Sequence, residues 1–109
     1  MVAAEHLQEI RLVCNQAEAM AEGAQDYIHL PALTLPDGCT PRQVDALLCL
    51  SQHSGYSTRL FLAQSVSGRG NNWTPHVIFG KTWYTWSWNH VPSALRPMEI
   101  LAEHLRGLR

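Results

Sequence analysis

The residues able to do covalent chemistry are few. There are three cysteines (Cys14, Cys39, Cys49), six histidines and a single lysine, Lys81. Cysteine is a nucleophile only as thiolate, and a histidine serves as its base only when a third group orients it. Cys49 and His53 stand four apart, a spacing open to a thiol–imidazole pair or to two metal ligands. Two ligands do not make a zinc site, and His76 and His90 complete no known ligand spacing, so no metal is expected. Cys49 lies in an apolar run and reads as a buried, inert thiol. Cys39 sits beside the Asp37-Gly38 turn, where exposure is expected and Arg42 could favour the thiolate. Cys14 falls on an apolar helical stripe and reads as core.

Carboxylates bound the chemistry further. Every Asp and Glu lies at position 45 or earlier, or at 99 and later. A paired-carboxylate mechanism within the 46–98 segment is therefore excluded, and a Ser-His-Asp set must draw its acid from the chain ends. His90 follows a tryptophan-rich run where a strand gives way to a loop and is the best single functional histidine, against the plainer reading of a surface residue. His104 reads as packed on a helix face, and His6 and His29 carry no signal.

The elements that must hold these groups follow from hydrophobic periodicity. Six of the nine aromatic residues fall in 73–88, which ends in Trp83-Tyr84-Thr85-Trp86-Ser87-Trp88. A two-residue period puts Tyr84, Trp86 and Trp88 on one face as core, with Trp83 on the other. Trp83 and Trp73, nearer polar residues, are expected to be exposed, as binding hot spots would be. Residues 3–22 predict an amphipathic helix with Leu7, Ile10, Cys14, Ala17 and Ala21 inward. Tyr27–Leu35 predicts a strand, and Pro31 within it and Pro36 just after it predict an edge. Thr40-Pro41-Arg42-Gln43 resembles a helix start, yet the run Val44–Leu50 fits a buried strand or a buried helix equally. Strands are expected over Arg59–Val66, Val77–Phe79 and Thr82–Trp88, a flexible loop over 67–72, and a helix from Pro97 with Ile100, Leu101, His104, Leu105 and Leu108 inward. The whole predicts one α+β domain over 1–109: a short antiparallel sheet flanked by N- and C-terminal helices.

Composition excludes several classes. A net charge of −1 leaves no electrostatic footprint for nucleic acid or anionic lipid. Stacking on single strands needs aromatics interleaved with base, and here only Arg69 and Lys81 lie near the tryptophans. No apolar stretch reaches membrane-spanning length, and the acidic start lacks signal-peptide character. Widely spaced cysteines, odd in number, predict reduced thiols in the cytoplasm.

Three segments carry a family likeness. Leu35-Pro36-Asp37-Gly38-Cys39-Thr40-Pro41-Arg42-Gln43-Val44-Asp45-Ala46-Leu47-Leu48 looks like a Leu-Pro-x-Gly turn leading into a strand. Gly55-Tyr56-Ser57-Thr58 is similar to a Gly-Tyr-Pro turn, with Ser57 in place of the proline. Gly80-Lys81-Thr82-Trp83-Tyr84-Thr85-Trp86-Ser87 looks like a Gly-x-x-Trp-x-x-Trp-Ser segment before a C-terminal helix. Together, over about 27–108, they resemble a bacterial family of ubiquitin-conjugating-enzyme-like (UBC-fold) proteins. The resemblance implies a reduced UBC fold, a strand at 44–50, and a ubiquitin-like modifier or an activating enzyme as partner. It also implies a cysteine after the segment that Gly80 matches. Here Lys81, Thr82 and Trp83 follow instead, and there is no His-Pro-Asn tripeptide: His76 follows Pro75, and Asn89-His90 runs in reverse.

Thioester chemistry at the usual position is thus not expected. The resemblance then implies a non-catalytic component that acts by binding, through Lys81, Thr82 and Trp83 and through Asn89 and His90, with no cofactor. Two alternatives stay open. One is a conjugating enzyme using a displaced cysteine, Cys39 or Cys49, with Lys81 as its only side-chain amine for self-modification. The other is an interaction module unrelated to ubiquitin-like chemistry.

Overall fold

The structure, a computed structural model describing residues 2–109, has two helices and six strands in the order α1 (Ala4–Ile10), β1 (Glu18–Glu22), β2 (Gln25–Thr34), β3 (Gln43–Cys49), β4 (Arg59–Leu62), β5 (Thr74–Ile78), β6 (Lys81–Thr85), α2 (Pro97–Arg106). The strands form one antiparallel sheet with spatial order β1-β2-β3-β4-β6-β5. The α+β class and the antiparallel sheet are as expected from sequence.

The N-terminal helix is shorter than its periodicity predicts. It stops at Ile10, and Glu18–Glu22 is a strand instead. Glu, Ala and Met favour helix by local propensity, but Glu22 pairs with Gln25 across a turn at Gly23 (φ +59°), and the register continues to Glu18↔His29. Tertiary pairing overrides the weak local preference. Ile10, Cys14 and Ala17 are buried as the stripe predicts, while Ala21 faces solvent on β1.

The edge expected for β2 is corrected, and the alternative left open over Val44–Leu50 is decided. Strand β2 is interior, and the outer strands are β1 and β5. Pro31 fits inside the sheet because the β2–β3 register shifts between Leu30 and Leu33, where an irregularity needs one donor fewer. Ala32 there has φ +51° and donates its N–H to Asp45 Oδ1 at 2.8 Å. The 43–49 segment is a strand, not a helix opened by Thr40. Beyond the exposed Asp45 its apolar run is continuous because Ala46 and Leu48 face the helices, as Val44 does, while Leu47 and Cys49 face the other way, and both sides are buried. Strands β4 and β6 end at Leu62 and Thr85, short of the expected Val66 and Trp88.

On the first face, Ile28, Leu30, Ala46, Leu48, Leu60 and Leu62 pack beneath Ile10 of α1 and Ile100 and Leu101 of α2. Pro97 opens α2, and Glu99 Oε1 accepts the Arg96 N–H at 3.0 Å. Trp86 and Trp88 lie against this core, as the aromatic pattern predicts, whereas Tyr84, expected with them, is only half-buried; Trp88 Nε1 donates to Glu103 O of α2 at 2.9 Å. Gly107, at the helix end, touches both rings. A Cβ there would stand 2.7 Å from Trp88 Cδ2, so the position is kept small by contact rather than by backbone conformation.

Among the described residues no helix covers the second face. The six-stranded sheet curls into a half-barrel. The curl brings the β1–β2 and β5–β6 tips together, where Glu22 Oε2 accepts the Phe79 N–H at 3.1 Å and the Tyr27 and Phe79 rings meet edge to face at 5.4 Å. The concave side therefore has a core of its own: Tyr27, Leu47, Cys49, Phe61, Ile78 and Trp83.

Candidate functional site

The concave face gathers the side chains of greatest chemical interest. Alternation along each strand sends Tyr27 and His29 of β2, Leu47 and Cys49 of β3, Arg59 and Phe61 of β4, and Trp83 of β6 to the same side. His76 of β5 pairs in register with Trp83. The β3–β4 connection adds His53 and Tyr56. These two exchange backbone hydrogen bonds of 2.9 and 3.0 Å around Ser54-Gly55, whose φ values of +53° and +86° form a tight hairpin tip.

Two sub-regions share this face. In the first, Met20, His29, Leu47, Phe79, Lys81 and Trp83 line a mostly apolar hollow of about 150 Å³. Lys81 Nζ lies 5.0 Å over the Trp83 ring, and Trp83 Nε1 donates to Ile78 O at 3.0 Å. In the second, the His53 and His76 rings stand 5.5 Å apart, and each meets the Phe61 ring edge to face, at 5.0 and 5.5 Å. Arg59 lies under the Tyr56 ring, 3.9 Å from its centroid, and donates through Nη2 to Trp86 O at 3.3 Å.

Burial sets the protonation states. The Cys49 thiol is pushed up chiefly by burial, against an opposing hydrogen bond at Ser51. Tyr27 is pushed up to about 12, first by burial and then by Cys49 and Glu22. His53 is lowered by burial, then by His76 and Arg59, and His76 is lowered by burial and then by Arg59. Near neutrality, then, the Cys49 thiol, the Tyr27 phenol and the His53 and His76 imidazoles are neutral on the face that holds the Arg59 guanidinium.

Trp83, expected exposed, is 3% exposed, because the curled sheet covers it without any helix. Lys81 and Thr82 beside it are exposed at the start of β6. Asn89 and His90 are also exposed, just beyond Trp88, which α2 holds in place. His90 has φ +65°, and its N–H donates to Asn89 Oδ1 at 2.8 Å. The two groups of expected contact residues thus lie at opposite ends of the segment 81–90, separated by the rest of β6 and by Trp86 and Trp88. Trp73 is half-buried, its ring 5.1 Å from that of Trp86 and tilted 42° to it.

Cys39, expected in an exposed turn, is buried, and its thiol points to Leu108 O at 3.4 Å. The turn itself is at the surface, but α2 and the residues after it close over the sulfur. Cys49 and His53 do not pair. The Cys49 sulfur donates to Ser51 O at 3.3 Å, and His53 Nδ1 meets Ser54 Oγ. His104, read as packed, is 2% exposed and bonded to Thr58 Oγ1 at 2.9 Å. Thr58 has one hydroxyl proton and gives it to Val91 O at 2.8 Å, so His104 must be the donor through Nε2–H. Burial, and secondarily Arg59, lowers its pKa to about 4.

Sequence reasoning did not bring His53, Tyr56, Arg59, Phe61 and His76 together. The one available signal was the carboxylate-free stretch around Arg59, which leaves a strand-borne arginine no local counter-charge. Compared with family models, with curated proteins and with solved structures, the chain finds no match. Its class is thus defined by its own architecture: an α+β half-barrel with helices on its convex side and an aromatic, histidine-bearing concave side.

Proposed function

We propose that this protein is a non-catalytic, ubiquitin-conjugating-enzyme-like component of a bacterial ubiquitin-like modification system, acting by binding the modifier or its activating enzyme. The observation that carries the non-catalytic part is the burial of all three thiols: Cys14, Cys39 and Cys49 are 6%, 5% and 0% exposed. A transferring thiol must be reachable and easily ionised. Burial raises Cys14 and Cys49 instead. The UBC-like part rests on the resemblance, and the strand at 43–49 agrees with what that resemblance implies. The contact residues of this reading are Lys81 and Thr82, with Trp83 as their packed support, and Asn89 and His90.

The test is titration of the ¹⁵N-labelled protein with a ubiquitin-like modifier and with an activating enzyme encoded beside it, followed by incubation of all three with ATP. Saturable shifts at Lys81–Trp83 or Asn89–His90, with no adduct removable by reductant, are expected. Binding to neither partner would sink the reading. A reducible adduct lost in Cys39→Ser or Cys49→Ser would replace it with the displaced-cysteine enzyme.

A further inference from the structure

Three arginines at the surface have carboxylate partners close by, Arg42 with Asp37 at 2.6 Å, Arg96 with Glu9 at 3.1 Å, and Arg106 with Glu103 at 2.9 Å, while Arg11 and Arg69 donate to the backbone carbonyls of Ala17 and Leu108. Arg59 differs. It is 6% exposed, yet among the described residues no carboxylate lies within ion-pair distance of it. Among the described residues its sole hydrogen-bond acceptor is Trp86 O, taken by Nη2, and its guanidinium lies against the Tyr56 ring. Nε and Nη1 keep their donors free of protein acceptors. A buried cation is costly unless it is paired, so a guanidinium held this way marks a place where negative charge is missing.

The groups beside it have spare capacity of the same kind. His53 uses Nδ1 toward Ser54 Oγ, which leaves Nε2 without a protein partner. His76 uses Nε2 toward Thr74 Oγ1 at 3.1 Å, which leaves Nδ1. Both rings are only half-buried, and Phe61 holds them 5.5 Å apart. Tyr56 sits on the Ser54-Gly55 hairpin tip and covers the guanidinium from the solvent side. The fork is largely buried but its unpartnered donors still meet solvent, and near it stand two imidazoles, each with a free ring nitrogen, and a cover on a short hairpin.

We propose that Arg59, flanked by His53 and His76 and capped by Tyr56, binds a small oxyanion, the group shared by phosphates and carboxylates. The guanidinium fork donates to two oxygens in its plane, and a charge-assisted bond of this type is stronger than a neutral one. The imidazoles add donors or, on taking up a proton, charge. In the free protein Arg59 and its histidine neighbours oppose one another, which is why both imidazoles are lowered beyond the effect of burial. An anion among them turns that repulsion into attraction. The site does not involve Lys81–Trp83 or Asn89–His90, so it stands or falls separately from the modifier-binding reading.

The experiment follows the Arg59 Nε–H and the His53 and His76 ring resonances while the intact protein is titrated at neutral pH with inorganic phosphate, and separately with acetate, at constant ionic strength. Saturable shifts at these three side chains are expected with at least one of the two. Tighter phosphate binding assigns the site to phosphorylated ligands, and tighter acetate binding to carboxylates. Arg59→Lys keeps the charge but loses the fork, and is expected to weaken binding about tenfold. His76→Gln, at a partly exposed position, is expected to weaken it about threefold. Tyr56→Ala removes the cover and leaves affinity equal or higher. The proposal is overturned if neither anion gives saturable shifts by about 100 mM, where even a very weak site would fill. Unchanged affinity in both Arg59→Lys and His76→Gln also overturns it. Should Arg59→Lys fail to fold, the wild-type shift map and His76→Gln still decide.

Discussion

The two faces of the sheet are both buried but by different means. The convex face is covered by α1 and α2 and is almost wholly aliphatic along β2–β4: Ile28, Leu30, Ala46, Leu48, Leu60 and Leu62. The concave face is covered only by the sheet's own curl, and beside the aliphatic Leu47 and Ile78 it carries aromatic, sulfur-bearing and basic residues: Tyr27, Cys49, Arg59, Phe61, Trp83. An aliphatic face can be closed by any apolar partner of the right shape. Aromatic rings with polar tips can close a face and still offer donors at its rim. The difference separates a side that holds the fold from a side that holds the fold and also has chemistry to spend.

The largest effect expected from this comparison is a pair of truncations. Leu48→Ala on the convex face is expected to cost about 2–5 kcal/mol, and Phe61→Ala on the concave face about 3–5 kcal/mol. Both side chains are fully buried. Urea unfolding that shows equal or greater loss for Phe61→Ala establishes the concave cluster as true core. A loss under about 1 kcal/mol would match a surface position and break the comparison.

The next effect is acid sensitivity, and it sets one histidine against two. The folded-state pKa of His104 lies near 4, against an ordinary 6.5. Between those values the unfolded chain binds a proton that the folded protein refuses. Stability is therefore fully present above pH 6.5 and is lost as pH falls from there toward 4, by about 3 kcal/mol. His53 and His76 are also lowered, so they add loss in the same direction, but solvent reaches them and their share is smaller. Urea midpoints at pH 7 and 4.5 measure this. His104→Gln is expected to flatten the pH dependence far more than His53→Gln or His76→Gln. A flattening led by His53→Gln instead would move the acid-sensitive group to the concave face.

How much of this was legible in the sequence also divides by face. The convex core follows from periodicity: Ile10 and Cys14 at helical spacing, and Ile100, Leu101 and His104 on one stripe of α2. The aromatic pattern put Trp86 and Trp88 in that core. What it missed is the second buried side. A two-residue period assumes one wet face, so Trp83 was expected in solvent. The curl that buries it comes from contacts between Glu22 and Phe79, 57 residues apart, which no local pattern encodes. The same limit hid β1. Its residues read as helix until the Gly23 turn pairs them with β2. Val44–Leu50 was ambiguous for a related reason: a strand buried on both sides has no alternation to show. Cys39 was misjudged because its neighbours in sequence are turn residues, whereas those in space are at the end of α2.

A smaller effect sharpens the convex side. Gly107→Ala places a methyl group within 3.0 Å of both Trp86 and Trp88, and is expected to cost about 1–3 kcal/mol by overpacking. Gly80→Ala, where a Cβ would meet nothing but φ is +72°, is expected to cost about 1–2 kcal/mol through backbone strain alone. Near-UV circular dichroism distinguishes the causes. Only the first substitution is expected to perturb the tryptophan signal.

The smallest effect is read as a rate. Native-state alkylation, followed by peptide mass analysis across pH, is expected to leave Cys14, Cys39 and Cys49 unmodified until the protein unfolds. Cys49 is the sharpest case because it belongs to the concave side, whose other groups are held ready for a ligand. If that side opened readily, Cys49 would react first, and its rate would rise with pH only above the ordinary thiol range, since burial raises its pKa. If the curl is as firm as the helix cover, Cys49 and Cys14 react together at the rate of global unfolding, and adding urea accelerates both alike. Fast labelling of Cys49 alone would show a concave side that breathes independently of the convex one, and would return that thiol to consideration as a nucleophile.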